Sequence, residues 1–421
     1  MNKKEGIRFN KALAWTYALK DTIGLSIAGM PVRLVELFLA ISGVLGIASN
    51  RIKTIKKKES ILILFLLANF IHSTLVSLIN FNQIALRFFL KYQIRNGFIL
   101  FVLLFFLVGH KTVSDRTFEN LCRAILVVNF VLLICLYGFG LSFVDLNCIR
   151  NVYLDKIQIN YIMGIAIPRF SGSASEAGYL GPFIAMPLYY YLNSFINKRK
   201  YMFELIICSG MCFLTFSAFV YLMYGGIFAA VMLAKLDRQR VIYLLLFLSL
   251  LILFSGIVFN NNKLYEFCDI YFFSKIRSVL HPGNVFEYSG SDRIMNYQYC
   301  LDLFMNQTVM GKILGIGTGG YAWYVAKNAA MYSYAEEAYN IYLSTLLDRG
   351  IVGVIILVTL LLSTTAFWKK KDVISTSLYV GIIAQCFHWF ISGNFWVYYF
   401  WIEIIYFIGY YYWTDSIKNR V

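Results

Sequence analysis

The apolar residues of this chain fall into long runs broken by short polar segments, a pattern unlike the alternation of a strand or the one-sided stripe of a surface helix. A membrane-crossing helix needs about 20 mostly apolar residues, within a range of about 17–25. Twelve segments are read as such helices: 12–30, 33–49, 60–79, 90–109, 124–144, 178–196, 203–217, 219–234, 241–259, 351–367, 373–391 and 395–413. The first contains Lys20 and Asp21, the fourth contains Lys91 and Arg95, and the seventh and eighth share one apolar stretch around Ser217.

Composition strengthens this reading. Of 421 residues, 59% are hydrophobic and only 14% charged, where soluble domains carry about 25% charged residues. The net charge of +16 would suit nucleic acid if it formed one soluble patch. Instead the cations gather in short segments between the apolar runs, among them Lys56–Lys58, Lys198–Lys200, Arg238 with Arg240, and Lys369–Lys371. That is the bias that keeps Lys and Arg on the cytoplasmic side, and it puts both termini there. The expected fold is an all-α polytopic membrane protein of about twelve transmembrane helices. Residues 1–259 would hold nine of them with an outer loop at 145–177, 260–350 a large and mostly helical outer loop, and 351–421 the last three.

Long loops in a compact membrane domain usually carry function. In the second loop, segment 291–306 opens with Ser291 and Asp292, good helix N-caps, and segment 335–349 ends at Gly350, a natural stop. The run Gly315-Ile316-Gly317-Thr318-Gly319-Gly320 matches G-x-G-x-x-G in letters. Without a βαβ unit it reads as a tight turn before a re-entering segment rather than a dinucleotide site. The four histidines, His72, His110, His281 and His388, are scattered and suggest no metal site. Cys148, Cys268 and Cys300 fall in the outer loops; Cys268 and Cys300 either pair or pack as small residues.

Cations are disfavoured in outer loops, yet Arg150, Arg169, Arg277, Arg293 and Arg349 stand there. Either they pair with outer acids or they hold an anionic substrate, since a planar guanidinium binds phosphate oxygens bidentately. Glu336, Glu337, Tyr339 and Asn340 read as part of one amphipathic helix, with 336, 339 and 340 on a shared face. That face is either solvated or catalytic. Glu403 and His388 lie within apolar segments, where packing or mutual pairing competes with a functional role.

The segment Pro168-Arg169-Phe170-Ser171-Gly172, followed by Glu176 and Gly181, resembles the R-F-S-G…E-P…G segment of O-antigen polymerases, with Ala177 at the position of the proline. Gly315-Ile316-Gly317-Thr318-Gly319 resembles the G-x-G turn of that family. Tyr339-Asn340, separated by nine residues from Gly350-Ile351-Val352-Gly353, resembles the H-N…G-x-x-G pattern of O-antigen ligases and polymerases, with Tyr339 in place of the histidine. Arg293 in Ser-Asp-Arg stands where such proteins often carry an arginine.

The resemblance implies a GT-C-like inner-membrane glycosyltransferase that joins undecaprenyl-diphosphate-linked oligosaccharide units at the periplasmic face. It implies Arg169, Arg293, Glu176, Glu336, Glu337 and Tyr339 as catalytic candidates and Arg150, Arg277, Asn340 and Gly317 as substrate-binding ones. Implied partners are the lipid-linked oligosaccharides, the bilayer and a chain-length regulator protein; no metal, cofactor or nucleic acid is expected. A lipid-linked oligosaccharide flippase and an O-antigen ligase are the alternatives. A transporter would show weak internal symmetry, whereas this chain puts its polar mass into one late loop. Reporter fusions after residues 58, 200, 240 and 371 should report the cytoplasm, and fusions near 160 and 300 the outer compartment. A cytoplasmic signal at 300 would overturn this topology.

Overall fold

The computed structural model describes residues 3–19, 21–27, 30–48, 55–108, 113–140, 159–162, 165–174, 176–234, 238–269, 273, 289–327, 338–392 and 398–418. Helix dominates. The chain begins with α1 (Lys3–Ala18), an antiparallel hairpin of β1 (Gly24–Ile27) and β2 (Met30–Arg33), then α2 (Leu34–Ala48), α3 (Lys57–Ile79), α4 (Leu86–Val108) and α5 (Asp115–Phe139). A second hairpin pairs β3 (Ile159–Ile162) with β4 (Ile165–Pro168). It is followed by α6 (Ala177–Lys198), α7 (Met202–Leu214), α8 (Ala218–Leu233), α9 (Arg238–Asn260) and α10 (Asn262–Cys268). The late part holds α11 (Ser289–Met305), α12 (Val309–Leu314), α13 (Gly320–Lys327), α14 (Ile341–Thr364), α15 (Val373–His388) and α16 (Tyr398–Lys418).

Among the described residues, four helical stretches are long and apolar enough to cross a membrane: Lys57–Ile79, Leu86–Leu107, Asp115–Phe139 and Ile341–Phe367, of 22 to 27 residues. At about 1.5 Å per residue each exceeds the bilayer's hydrocarbon core of about 30 Å. Shorter apolar helices are Met202–Leu214, Ala218–Leu233 and Val373–His388. Helix α3 shows which solvent it was built for. Its exposed side carries Leu64, Leu67, Ile71, Leu75 and Leu78, while Asn69, Ser73 and Ser77 are buried. A helix greasier outside than inside is the reverse of the soluble pattern and fits immersion in lipid.

The chain divides into two compact units. The first comprises residues 1–37, 114–288 and 370–384. In it α1 packs on α5, and α6 packs on α7 and α8. Ser114 caps α5 by accepting the Thr117 N–H, and Gly140 closes it in a left-handed conformation. The second unit comprises residues 38–113, 289–369 and 385–421. There α14 packs along α3 and carries α11, α12 and α13 against it, while α4 lies on α3 and α16 on α4.

Most expected segments coincide with helices to within a few residues, and two readings are corrected. The first segment, 12–30, is not one helix. Thr22 hydrogen-bonds back to the Leu19 carbonyl, Asp21 pairs with Arg33, and these polar contacts end α1 and fold the chain into the β1–β2 hairpin. A second short hairpin falls at 159–168, within the segment expected as the first outer loop, and helices make up nearly all the other elements. The segment expected at 351–367 begins instead at Ile341. Gly350 breaks the helical path, with φ 65° and ψ −168°, but the helix resumes beyond it. Of the loop read at 145–177, residues 145–158 lie outside the described residues.

Backbone contact explains the break at Gly350. A Cβ on Gly315 would lie 2.4 Å from both the Arg349 nitrogen and the Asp348 carbonyl oxygen, and one on Gly350 would lie 2.3 Å from the Ile313 carbonyl oxygen. Both glycines have positive φ. Gly315→Ala should therefore destabilise the protein by at least about 2 kcal/mol, read as a fall in the thermal unfolding midpoint in detergent. Gly210→Ala, mid-helix with nothing within 4 Å of its Cβ, should be neutral or mildly stabilising.

Candidate functional site

In the second unit the motif residues gather around one buried asparagine. Asn296 on α11 accepts the Tyr339 backbone N–H on its Oδ1 at 3.0 Å and donates through Nδ2 to the Tyr321 hydroxyl of α13 at 2.6 Å. One residue on, the Tyr297 hydroxyl donates to the Phe390 carbonyl at 2.6 Å and lies 3.4 Å from the Tyr339 carbonyl. Arg293 stands one helical turn earlier, three and four residues from this pair, and so shares their face of α11. It is half-buried, and its charge draws the Tyr297 phenol down against the stronger upward effect of burial. The structure thus sets Tyr339, with Asn340 beside it in sequence, against the helix that carries Arg293.

Asn340 caps α14: its Oδ1 accepts the N–H groups of Tyr342 and Leu343 at 2.9 and 3.1 Å. The junction is pinned from a second side, where Ile341 N–H donates to the Trp389 carbonyl at 3.0 Å and Tyr342 Oη to the Cys386 carbonyl at 2.9 Å. Because the cap fixes the helix start at Ile341, Tyr339 and Asn340 do not lie on an amphipathic helix with Glu336. That reading is corrected; Glu336 and Glu337 lie outside the described residues, as do Arg150 and Arg277. Helix α11 begins at Ser289, so Ser291 and Asp292 are inside it rather than at its cap.

Beneath this junction sits a small core of Cys300, Ile316, Tyr321, Val325, Ala338 and Leu347. Burial pushes the Cys300 thiol up to about 12 and also raises the Tyr321 phenol. Cys268 and Cys300 are both free thiols. The glycine run is a turn, as expected: Gly315, Gly317 and Gly319 all have positive φ, and α13 starts at Gly320. Gly317 is buried, and a Cβ there would lie 3.0 Å from the Cα of Ser77. The turn is held by Gly317 N–H to the Asp348 carbonyl at 2.9 Å, Thr318 N–H to Ser77 Oγ at 2.8 Å, and Ala85 N–H to the Gly319 carbonyl at 3.0 Å.

Two charged residues behind the turn are almost wholly buried, Asp348 at 4% exposure and Arg349 at 3%. Asp348 Oδ1 faces the Tyr321 N–H at 3.4 Å, at the positive end of α13. Arg349 donates to Asn69 Oδ1 and, at 2.9 Å, to Thr345 Oγ1. Its guanidinium carbon lies 5.2 Å from the Tyr92 ring centroid. His72 Nε2 donates to the Arg349 carbonyl at 2.9 Å, which assigns the proton to that nitrogen. Arg349 was expected among the outer arginines; its surroundings from α3 and α4 were not. The signal was the inverted pattern of α3, whose polar residues Asn69, Ser73 and Ser77 recur at helical spacing.

In the first unit the arginine segment is held down along its whole length. Arg169 Nε donates to the Thr215 carbonyl at 3.0 Å and Phe170 N–H to the Leu214 carbonyl at 2.9 Å. Ser173 N–H donates to Asn129 Oδ1 at 2.8 Å, and Asp21 N–H to the Ser173 carbonyl at 2.9 Å. Glu176 is exposed at the N-cap of α6. Ala177 is the first helical residue, a position that favours proline, so the departure from the family pattern leaves the helix start intact.

Compared with known protein families and with curated proteins, the chain matches none of them. Asn296→Ala should strand the Tyr339 N–H and the Tyr321 hydroxyl in a buried site, costing about 1–3 kcal/mol. It should cost more than Tyr297→Phe. Maleimide provides a second measure, since the thiolate is the reactive form. Cys300 in the native protein should resist labelling at pH 8, well below its raised value, and label faster in Asn296→Ala.

Proposed function

We propose that this protein is a membrane-embedded glycosyltransferase of the O-antigen polymerase kind. It would use polyprenyl-diphosphate-linked oligosaccharides as both donor and acceptor on the periplasmic side of the bacterial inner membrane. The observation that carries the reading is the hydrogen bond from Tyr339 N–H to Asn296 Oδ1. It ties the Tyr-Asn motif to the helix face that begins with Arg293, so two segments singled out separately by the resemblance adjoin each other.

In the proposed reaction a hydroxyl oxygen of the acceptor sugar attacks the anomeric carbon of the donor. A new C–O bond forms, and the bond from that carbon to the diphosphate oxygen breaks. The lipid diphosphate leaves with the electron pair, and the hydroxyl proton passes to a base. Charge grows on the departing oxygen, so preorganised cationic donors stabilise the transition state more than the ground state. Arg293 is the donor proposed here, held on a helix whose next turn is fixed by Asn296 and Tyr297. The base must be a carboxylate within reach of the acceptor; Glu336 and Glu337 remain the candidates by sequence. Arg169, in the R-F-S-G segment of the first unit, is a candidate through the resemblance alone.

Deleting the gene should leave lipopolysaccharide with a single capped repeat on a gel; unsubstituted core would favour a ligase or flippase, and a normal ladder would exclude all three. Arg293→Ala and Arg169→Ala should each abolish the ladder at near-normal protein abundance. Lysine should rescue only partly, because it keeps the charge and loses the guanidinium fork. Polymerisation by purified protein should survive EDTA. If these arginines only made exposed ion pairs, worth about 0–1 kcal/mol, the ladders would be unchanged.

A further inference from the structure

Away from this site, the second unit gathers three lysines around two neighbouring rings of α16. The Lys56 ammonium lies 4.3 Å from the Tyr412 ring centroid, and Lys58 and Lys369 lie 4.7 and 4.8 Å from that of Tyr411. Two ammonium groups thus share one ring. Phe367 stands edge-on to Tyr411 at 5.5 Å between centroids, stiffening the platform. Lys58 Nζ donates to Tyr411 Oη at 2.9 Å and to the Ala366 carbonyl at 3.1 Å. Lys369 Nζ donates to Thr414 Oγ1 and, at 3.4 Å, to the Tyr411 carbonyl.

Capping of a helix end accounts for the Ala366 contact, but not for the gathering of charge. Lys57 is exposed beside the cluster. The acids nearby are Glu59, which is buried and accepts the Lys56 backbone N–H at 2.6 Å, and Asp415 on α16. Three ammonium groups thus meet on one small aromatic surface, with the exposed Lys57 next to them in sequence. An ammonium has three N–H donors, and among the described residues Lys58 directs two of them to protein.

Position names the anion such a surface meets. The cluster lies where α3 begins and where the Ile341–Phe367 stretch ends, both long enough to cross a bilayer. Such helix ends sit at the headgroup layer, where aromatic residues concentrate and the abundant anions are lipid phosphates. Basic clusters at this depth between helices recognise anionic headgroups. We propose that Lys56, Lys58 and Lys369, on the Tyr411–Tyr412 platform, bind the phosphate of an anionic membrane phospholipid. This site is independent of the enzymatic reading and is untouched if that reading fails.

The test uses the full-length protein in phosphatidylcholine nanodiscs with increasing phosphatidylglycerol. Phosphatidylglycerol should raise the unfolding midpoint saturably. Lys58→Gln with Lys369→Gln should weaken that response about tenfold or more, whereas Lys263→Gln with Lys312→Gln, which removes equal charge elsewhere, should not. Equal weakening in the two double variants would overturn the proposal, since total charge alone would then explain the effect. The same rise from millimolar inorganic phosphate in pure phosphatidylcholine would also overturn it, in favour of a free-phosphate site. A measurement on the unaltered chain covers the case in which the double variant does not fold. Phosphatidylglycerol with a photoreactive headgroup should label peptides spanning 56–60 or 366–371 well above photoreactive phosphatidylcholine, and equal labelling by the two lipids would overturn the assignment.

Discussion

Two stretches of backbone meet at Gly315 and Gly350 with no room for a side chain on either, and the second unit is arranged around that contact. The approach lets the Ile316 and Gly317 N–H groups reach the carbonyls of Leu347 and Asp348 at 3.1 and 2.9 Å. It thereby locks the glycine turn onto the broken helix. Once locked, the turn presents Thr318 to α3 and Gly319 to the start of α4, so one contact sets the position of several elements. Any residue with a Cβ would push the strands apart by more than the hydrogen bonds tolerate.

Both units solve a similar problem with asparagine. A polar segment must be held in surroundings where water is scarce and an unmade hydrogen bond is costly. Asn129, itself anchored by Nδ2 to the Ile125 carbonyl, offers Oδ1 to the Ser173 N–H. Asn296 does the same for Tyr339 while reaching Tyr321. An amide side chain can accept and donate at once without carrying charge. It can therefore fix a motif's backbone and leave the motif's side chains for other work.

Helix positions were legible because long apolar runs have few alternatives in a bilayer. The apolar run 178–196 falls within α6 (Ala177–Lys198), and 241–259 within α9 (Arg238–Asn260). The reading failed where a few polar residues outweighed the run. Asp21 and Thr22 turned 12–30 into a helix and a hairpin, and Asp348-Arg349-Gly350 concealed that Ile341 already belongs to the helix that follows. In the candidate site, Arg293, Tyr339 and Asn340 were visible as motif letters. Asn296 and Tyr297 were not, although their spacing from Arg293 was available, because a lone asparagine on a helix names no partner until the chain 43 residues later is seen to meet it. The neighbours of Arg349 come from a segment 280 residues away, a pairing beyond any local pattern.

The buried Arg349 also bears on how the protein enters the membrane. An arginine near the centre of a solitary membrane helix costs about 2.5–3.5 kcal/mol even on the most lenient insertion scales, and Asp348 adds to that burden. Asn69 and Tyr92 relieve the guanidinium while His72 holds its backbone, and all three belong to helices synthesised long before α14 emerges. Ribosomal order therefore supplies the receptor ahead of the charge. The Asp-Arg turn can be received by a surface already waiting, whereas the reverse order would leave a guanidinium facing lipid. A circular permutation that placed α14 ahead of α3 would keep every contact of the finished fold while removing the one sequence of events that delivers the arginine safely.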